Sequence, residues 1–485
     1  MVFDCGLADE LRTCAARHVE RGVPGLTMLV ARDGAVFVEA VGSLGDRRGP
    51  TTRDAQYRIA STTKIVTALA TLALVEDGRL GLDDPVETFL PELGAPRVLA
   101  APDGPLDDTR PARRSITVRD LLTFTNGFGM YIDMFAAPTP WPIVLEEQRL
   151  GLVTLGPPNP TVQPPPDEWI ARLGKLPLLA EPGTRFLYNT GASILGVLIG
   201  RASGTSFGAY LRGRILDPLA MTETDFYASD PQRLATAYRP TPAGLERAFE
   251  LDEAYTHPPA FEDGGCGLVA TVDDLYALAR LLLDEGHDLV SGAAIRSMTS
   301  DQLRDEQKVD GAFGPDFFAE RSWGYGLAVN RDGSYGWDGG LGTSFLVDPP
   351  RQLVVIVLTL RLFESPETPA VHRELRAISR GARHERAASN PSATTCSPSR
   401  SRSWRSPCTG QRARALAPCA APHRHYSPTH CASSTRDLLE QPPPPPVEDG
   451  EARHRIAHVV EPQPVVLAVT LSRHDGVDVR GSLRG

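Results

Sequence analysis

Ser61 and Lys64 stand three residues apart in Ile59-Ala60-Ser61-Thr62-Thr63-Lys64, where an amphipathic helical pattern begins. One helical turn would bring the hydroxyl and the amine to the same face. At a helix start the serine oxygen sits among free backbone N–H groups, where developing negative charge is favoured. An arginine keeps its proton in a protein, whereas a partly buried lysine can give its proton up and then accept one from a serine. The chain has only three lysines, Lys64, Lys175 and Lys308, among 50 basic residues. It therefore writes nearly all its positive charge as arginine, yet has a lysine beside this serine. The same spacing also fits an N-capping serine followed by a surface lysine, so the pair needs support from its surroundings. Gly204-Thr-Ser206-Phe-Gly208 offers a rival nucleophile in the G-x-S-x-G pattern. That elbow requires a strand before the serine, and Ser193–Gly200 reads as helix. No histidine or acid follows in triad order.

The elements that would carry these residues alternate between sheet and helix. Residues 5–21 read as a helix with Leu7, Leu11, Cys14, Ala15 and His18 on one stripe. Leu26–Ala31 and Val36–Val41 flank Asp33-Gly34 and predict a hairpin. The helix after Ser61 runs over 61–77, and further helices are predicted over 117–124, 191–202, 205–215 and 273–285. Strand patterns return over 323–330, 343–348 and 352–359, and a helix over 367–380 follows. Strands at both ends with helices between predict one antiparallel sheet made of N- and C-terminal segments around a helical insertion. Residues 130–185, rich in proline with Tyr131, Phe135, Trp141 and Trp169, are expected to form an aromatic flap over the site.

Composition bounds the function. A 52.4 kDa chain with 41% hydrophobic residues can bury a large core. A net charge of −10 argues against a nucleic-acid groove. The opening residues show no secretory signal and no apolar run is long enough to span a bilayer, so no membrane role and a cytoplasmic location are expected. Cys5, Cys14 and Cys266 are scattered, the other four of the seven cysteines lie after residue 385, and no metal-ligand spacing is evident. The expected division is one catalytic domain over 1–384, its sheet part near 1–60 and 310–384 and its helical part near 61–309. Residues 385–485, with an Arg/Ser run and five prolines at 442–446, read as a disordered tail or an out-of-frame extension.

The stretch from Tyr57 through Ser61-Thr-Thr-Lys64 to Gly81-Leu-Asp-Asp-Pro-Val86 resembles the serine hydrolases related to class C β-lactamases. That superfamily includes DD-peptidases and the β-lactamase-like (family VIII) esterases. Leu121–Gly127, Pro182–Tyr188, Pro218–Thr222, Gly265–Thr271 and Trp323–Gly326 support it in order, and the resemblance covers about residues 8 to 380. It implies an α/β, β-lactamase/DD-peptidase-like fold: an antiparallel sheet flanked by helices plus an all-helical domain. Ser61 would then attack a carbonyl, with Lys64 and Tyr188 sharing the proton. The spacing from Tyr188 to Leu195-Gly196 matches the esterase-like form; pinning Asn189 to the lactamase-type Tyr-Ser-Asn would instead put Leu187 at the tyrosine position. Asn189 or Thr190 would supply a side-chain contact to substrate. The third family element falls on Trp337-Asp338-Gly339-Gly340, and the amides of Ser61 and Gly340 would hold the oxyanion. Its usual lysine is absent. Trp337 as an apolar plate and Asp338 as a negative charge imply poor binding of anionic lactams and better binding of neutral acyl esters. The resemblance implies a small-molecule ester or amide substrate and neither cofactor nor metal; it leaves the oligomeric state open. The expected activity is an esterase for small acyl esters, with a β-lactamase, a DD-peptidase, an acyltransferase or a non-catalytic binding protein as alternatives.

Overall fold

The computed structural model describes residues 2–46, 48–131, 133–155, 158–286, 289–309, 313 and 316–381. The expected tail over 385–485 and the side chain of Phe135 lie outside the described residues. Seven strands form one sheet: β1 (Gly25–Arg32), β2 (Ala35–Gly42), β3 (Arg321–Trp323), β4 (Ala328–Asn330), β5 (Tyr335–Gly339), β6 (Thr343–Asp348) and β7 (Leu353–Thr359). Their order is β2-β1-β7-β6-β5-β4-β3. Every neighbouring pair is antiparallel, with Leu26 opposite Thr359 and Trp337 opposite Phe345. The N-terminal hairpin thus pairs directly with the C-terminal strands, as the sequence pattern predicts.

Both faces of the sheet are covered, which is why β7 reads as the unbroken apolar run Leu-Val-Val-Ile-Val-Leu-Thr rather than an alternation. On one face α1 (Cys5–Glu20) sends Leu11 and Cys14, and a C-terminal helix (Ala370–Ser379) sends Leu375, against Leu26, Met28, Val30, Val355 and Val357. The opposite residues, Leu29, Ala31, Val354, Ile356 and Leu358, join the main core. That core also takes in α2 (Thr63–Glu76), α3 (Thr190–Ser203) and α4 (Val272–Leu283).

Helix α2 is not amphipathic in place. Every residue from Thr63 to Leu74 is buried, so the lysine it carries has been taken out of water with the rest of the helix. The single strand expected over 323–330 is two strands, β3 and β4, folded back at Gly324–Leu327. Gly326 has φ +71°, and a Cβ there would lie 2.6 Å from the Lys64 carbonyl oxygen. Only glycine lets this turn approach α2 so closely.

The 130–185 segment is not a flap. Pro142 and Pro166 open short helices, Pro142–Leu150 and Pro166–Leu173, at the position where a missing N–H costs nothing. Trp169 is fully buried, stacks on Phe261 at 4.8 Å and donates from Nε1 to the Leu152 carbonyl at 3.0 Å. Tyr131 packs on Trp141 and accepts from Arg185 at 2.8 Å. These aromatics are core. Among the described residues no helix is long and apolar enough to cross a membrane.

Candidate active site

Ser61 lies in a single 3₁₀ turn, Ala60–Thr62, immediately before α2. Ala60 has φ +45°, a conformation that costs a non-glycine residue on the order of 1 kcal/mol or more. The turn lifts the serine hydroxyl out of the helix axis and leaves the Ser61 side chain partly exposed while its neighbours are buried. One turn on, the fully buried Lys64 donates from Nζ to Ser61 Oγ at 3.1 Å and to the Gly265 carbonyl at 2.6 Å. The alternative of a surface lysine behind a capping serine is thereby excluded. Gly265 is itself held: its N–H donates to Asp263 Oδ1 at 2.7 Å, and Ser193 donates to the same oxygen at 2.7 Å. Cys266 donates to Asp263 Oδ2 at 3.2 Å, and burial pushes this thiol well above its ordinary value, so it remains a neutral donor.

Tyr188 faces the pair. Lys64 Nζ lies 4.8 Å from the centre of its ring, and the phenol oxygen accepts from Trp337 Nε1 at 2.7 Å. Phe124, Phe313, Trp323 and Trp337 pack around the ring at 4.7–6.0 Å. Trp337 is therefore more than an apolar plate; its indole N–H orients the phenol, a role that depends on β5 register and that its residue type alone did not disclose. Asn189, next in the chain, has φ 92° and ψ −67°, a second strained backbone beside a site residue. Its side-chain amide donates to the Thr154 carbonyl at 2.7 Å and does not line the cavity, so the expected substrate contact from Asn189 is replaced by a structural one. Thr190 Oγ1 is buried without a partner among the described residues.

The Trp337–Gly340 segment closes the site from the sheet side. Gly339 is pressed between Thr343 and the Ile59 carbonyl, and it forms no part of the cavity wall; its place is behind it. Gly340 faces open space. Among the described residues neither the Ser61 nor the Gly340 N–H is taken up by a hydrogen bond. A cavity of about 590 Å³ opens over Ser61, bounded by Tyr188, Trp337, Gly340, Phe313 and Phe317. Phe313 and Phe317 supply the aromatic wall that the 130–185 segment was expected to supply. Their signal in the sequence is the run Phe313-Gly-Pro-Asp-Phe317-Phe318, bracketed by turn-forming residues. Asp338 does not confront the cavity as a free charge, because Arg376 pairs with it and Thr368 donates to it at 2.9 Å. The inference that it repels anionic substrates falls with that pairing.

Ser206 caps the short helix Phe207–Leu211, accepting from the Ala209 N–H at 3.1 Å. It follows a helix rather than a strand, and Gly204 in the left-handed region makes the turn. It is a capping residue. The one grouping of metal-ligating types among the described residues is Cys14, His18 and Glu374, between α1 and the C-terminal helix. Arg17 donates to Glu374 and, at 3.4 Å, to Cys14, so a guanidinium already engages two of the three. Burial pushes the Cys14 thiol up to about 11, against the thiolate a metal needs.

The Beta-lactamase family model matches residues 10–378 of the chain. The chain belongs to the Beta-lactamase family. An uncharacterized protein of Mycobacterium tuberculosis is 35% identical over 353 residues, 69% of this chain and 84% of the relative. Esterase EstB of Burkholderia gladioli is 30% identical over 386 residues, 72% of this chain and 89% of EstB. The solved structure of EstCE1, described as a hydrolase with promiscuous acyltransferase activity, superposes with a TM-score of 0.64 at 25% identity, covering 78% of this chain and 98% of EstCE1. This member of the Beta-lactamase family is accordingly an enzyme of the serine-hydrolase class with the family's α/β fold.

Proposed function

We propose that the enzyme is an esterase for small acyl esters, working through an acyl-enzyme on Ser61. The observation that carries this reading is the placement of the buried Lys64 Nζ between Ser61 Oγ and the Gly265 carbonyl and beneath the Tyr188 ring, with Ser61 and Tyr188 lining an open cavity. Ser61 Oγ attacks the ester carbonyl carbon as its proton passes to the Lys64–Tyr188 pair. The carbonyl oxygen, now negative, is received by the Ser61 and Gly340 N–H groups, each worth about 3 kcal/mol of barrier in such sites. Tyr188 returns a proton to the leaving alkoxide, its oxygen held by Trp337 Nε1. Water then repeats the attack on the acyl carbon, and Ser61 is regenerated. No step requires a metal or a cofactor.

The similarity to EstB supports the ester as substrate. The similarity to EstCE1 supports an acyl transfer in which an alcohol replaces water in the second half. The absence of a lysine in Trp337-Asp338-Gly339-Gly340 separates the site from those of the lactamases. The test is the mass of the protein after treatment with a fluorophosphonate, together with turnover of 4-nitrophenyl butyrate. A single adduct on Ser61, and loss of turnover in Ser61→Ala and Lys64→Arg, is the expected result. An adduct on Ser206, or undiminished turnover in Lys64→Arg, would overturn the assignment.

A further inference from the structure

Arg321, at the start of β3, lines the same cavity as Ser61 and stands out from the arginines around it. Arg376 is paired with Asp338, Arg373 donates to the Thr368 carbonyl, and Arg380 is paired with Asp332 and Asp348. Arg321 makes no ion pair and no side-chain hydrogen bond among the described residues. Its guanidinium lies over the Phe317 ring, 5.5 Å from the centroid, and the residue is only partly exposed. Burial draws its pKa below the ordinary arginine value, but an arginine so shifted stays charged at neutral pH.

Asp338 and Glu320 attract this guanidinium from a distance, but a guanidinium withdrawn from water without a hydrogen-bonded counter-ion is still a cost to the fold. Arg58 avoids that cost. Buried and likewise desolvated, it places its donors on the Leu251 carbonyl at 3.0 Å, the Ala235 carbonyl at 2.6 Å and Asp252 at 2.9 Å. Among the described residues no acceptor takes the Arg321 guanidinium donors. The acids that share its cavity, Asp316, Glu320 and Glu367, are exposed and hydrated, so they screen a ligand weakly, while Asp338 is already neutralised.

We propose that Arg321 is a specificity-determining residue of the cavity and that the preferred substrate is an ester bearing a carboxylate, held by that guanidinium while Ser61 attacks the carbonyl. The inference rests on the reading of Ser61 as nucleophile and adds the charge of the substrate to it. It replaces the expectation that neutral esters suit this site best. A planar carboxylate matches the guanidinium fork, and the Phe317 ring holds that fork in place.

Two matched ester pairs test it. The first compares the 4-nitrophenyl monoester of glutaric acid with 4-nitrophenyl butyrate, the charge lying on the acyl side. The second compares 4-carboxyphenyl butyrate with phenyl butyrate, the charge lying on the leaving group. In Arg321→Gln the ratio of kcat/KM, anionic to neutral, should fall about 10- to 100-fold for at least one pair, the range of a charged hydrogen bond. Arg321→Lys should recover part of that ratio. The melting temperature should not fall in Arg321→Gln, because the substitution removes a desolvated charge and breaks no ion pair or hydrogen bond among the described residues. Ratios that stay equal between the wild type and Arg321→Gln for both pairs overturn the proposal, even where hydrolysis depends on Ser61. Binding to the Ser61→Ala protein separates this from the esterase reading. Monomethyl glutarate should bind about 10-fold or more tighter than dimethyl glutarate, and the difference should vanish in Ser61→Ala/Arg321→Gln. Equal affinities in Ser61→Ala sink the anchor; a difference there without any ester hydrolysis supports the anchor and sinks only the proposed reaction.

Discussion

Replacing Gly339 by alanine isolates the contact between the sheet and the nucleophile. A Cβ at this position would meet Thr343 Oγ1 and the Ile59 carbonyl oxygen, both inside the 3.0 Å below which real Cβ atoms are not found. Neither neighbour is free to yield. The Ile59 oxygen accepts from Thr343 Oγ1 at 3.0 Å and from the Thr62 N–H at 3.1 Å, and Ile59 stands two residues before Ser61. Relief must come from moving β5 off the 3₁₀ turn. Overpacking of this kind costs about 1–3 kcal/mol, and losing the Thr343–Ile59 hydrogen bond adds about 1 kcal/mol. Together, at about 2–4 kcal/mol, they predict a melting temperature lower by roughly 4–16 °C, at about 2–4 °C per kcal/mol. The same movement parts the Ser61 and Gly340 N–H groups. Loss of one oxyanion donor predicts a fall in kcat of about 10²- to 10³-fold on 4-nitrophenyl butyrate. Gly340→Ala is the control for stability: its Cβ would point into open space, so it should melt within about 1 °C of the wild type. Gly339→Ala with wild-type melting and wild-type kcat would refute the claim that β5 is wedged against the nucleophile turn.

Trp337→Phe keeps an aromatic ring in the wall but removes the 2.7 Å donor to the Tyr188 oxygen. Turnover of 4-nitrophenyl butyrate should drop about 10-fold or more with little loss of stability, since water can replace the indole N–H at the cavity edge; an unchanged kcat would make Trp337 a packing residue only. Glu147 is buried and takes a hydrogen bond from Thr154, and burial raises its carboxyl from 4.5 to about 7. Below pH 4.5 it is protonated whether the chain is folded or not. Between 4.5 and 7 the unfolded chain loses that proton first, so stability falls as pH rises through this window, by about 3 kcal/mol once above it. Glu147→Gln should therefore stabilise the protein at pH 8 and not at pH 4.5; denaturant midpoints that move equally at the two values would remove Glu147 as the source.

The parts of the site that the sequence discloses are those that need only local geometry. Ser61 and Lys64 meet because three residues make one helical turn, and the hairpin at Asp33-Gly34 follows from its own turn chemistry. Tyr188 required family spacing, since nothing local says that a phenol faces an amine over 120 residues away. The misread segments share a cause. Proline with aromatics over 130–185 suits an exposed flap and suits short helices opened by proline; only burial of Trp169 against Phe261 decides between them. Trp337 lines the cavity as expected, but side-chain type does not disclose a partner: its N–H turns to Tyr188, and the charge expected of Asp338 is claimed by Arg376. Arg321 has no signature of its own among so many arginines: it differs in being partly buried without a hydrogen-bond partner among the described residues, which no sequence pattern encodes.

The choice of lysine at position 64 has a physical basis beyond proton transfer. The position is fully buried and offers two acceptors, Ser61 Oγ and the Gly265 carbonyl. An ammonium has three donors, so two acceptors and the Tyr188 ring face exhaust it. A guanidinium has five donors in a fixed plane and would leave several of them buried without partners. Arg58 shows what a buried arginine demands here: two carbonyls and a carboxylate, supplied from residues 235, 251 and 252. Among the described residues no such set surrounds Lys64, whose Gly265 acceptor is fixed by Asp263 rather than free to adapt. In a chain that otherwise uses arginine, the lysine is therefore required twice over, once by the chemistry at Ser61 and once by the number of hydrogen bonds its burial can satisfy.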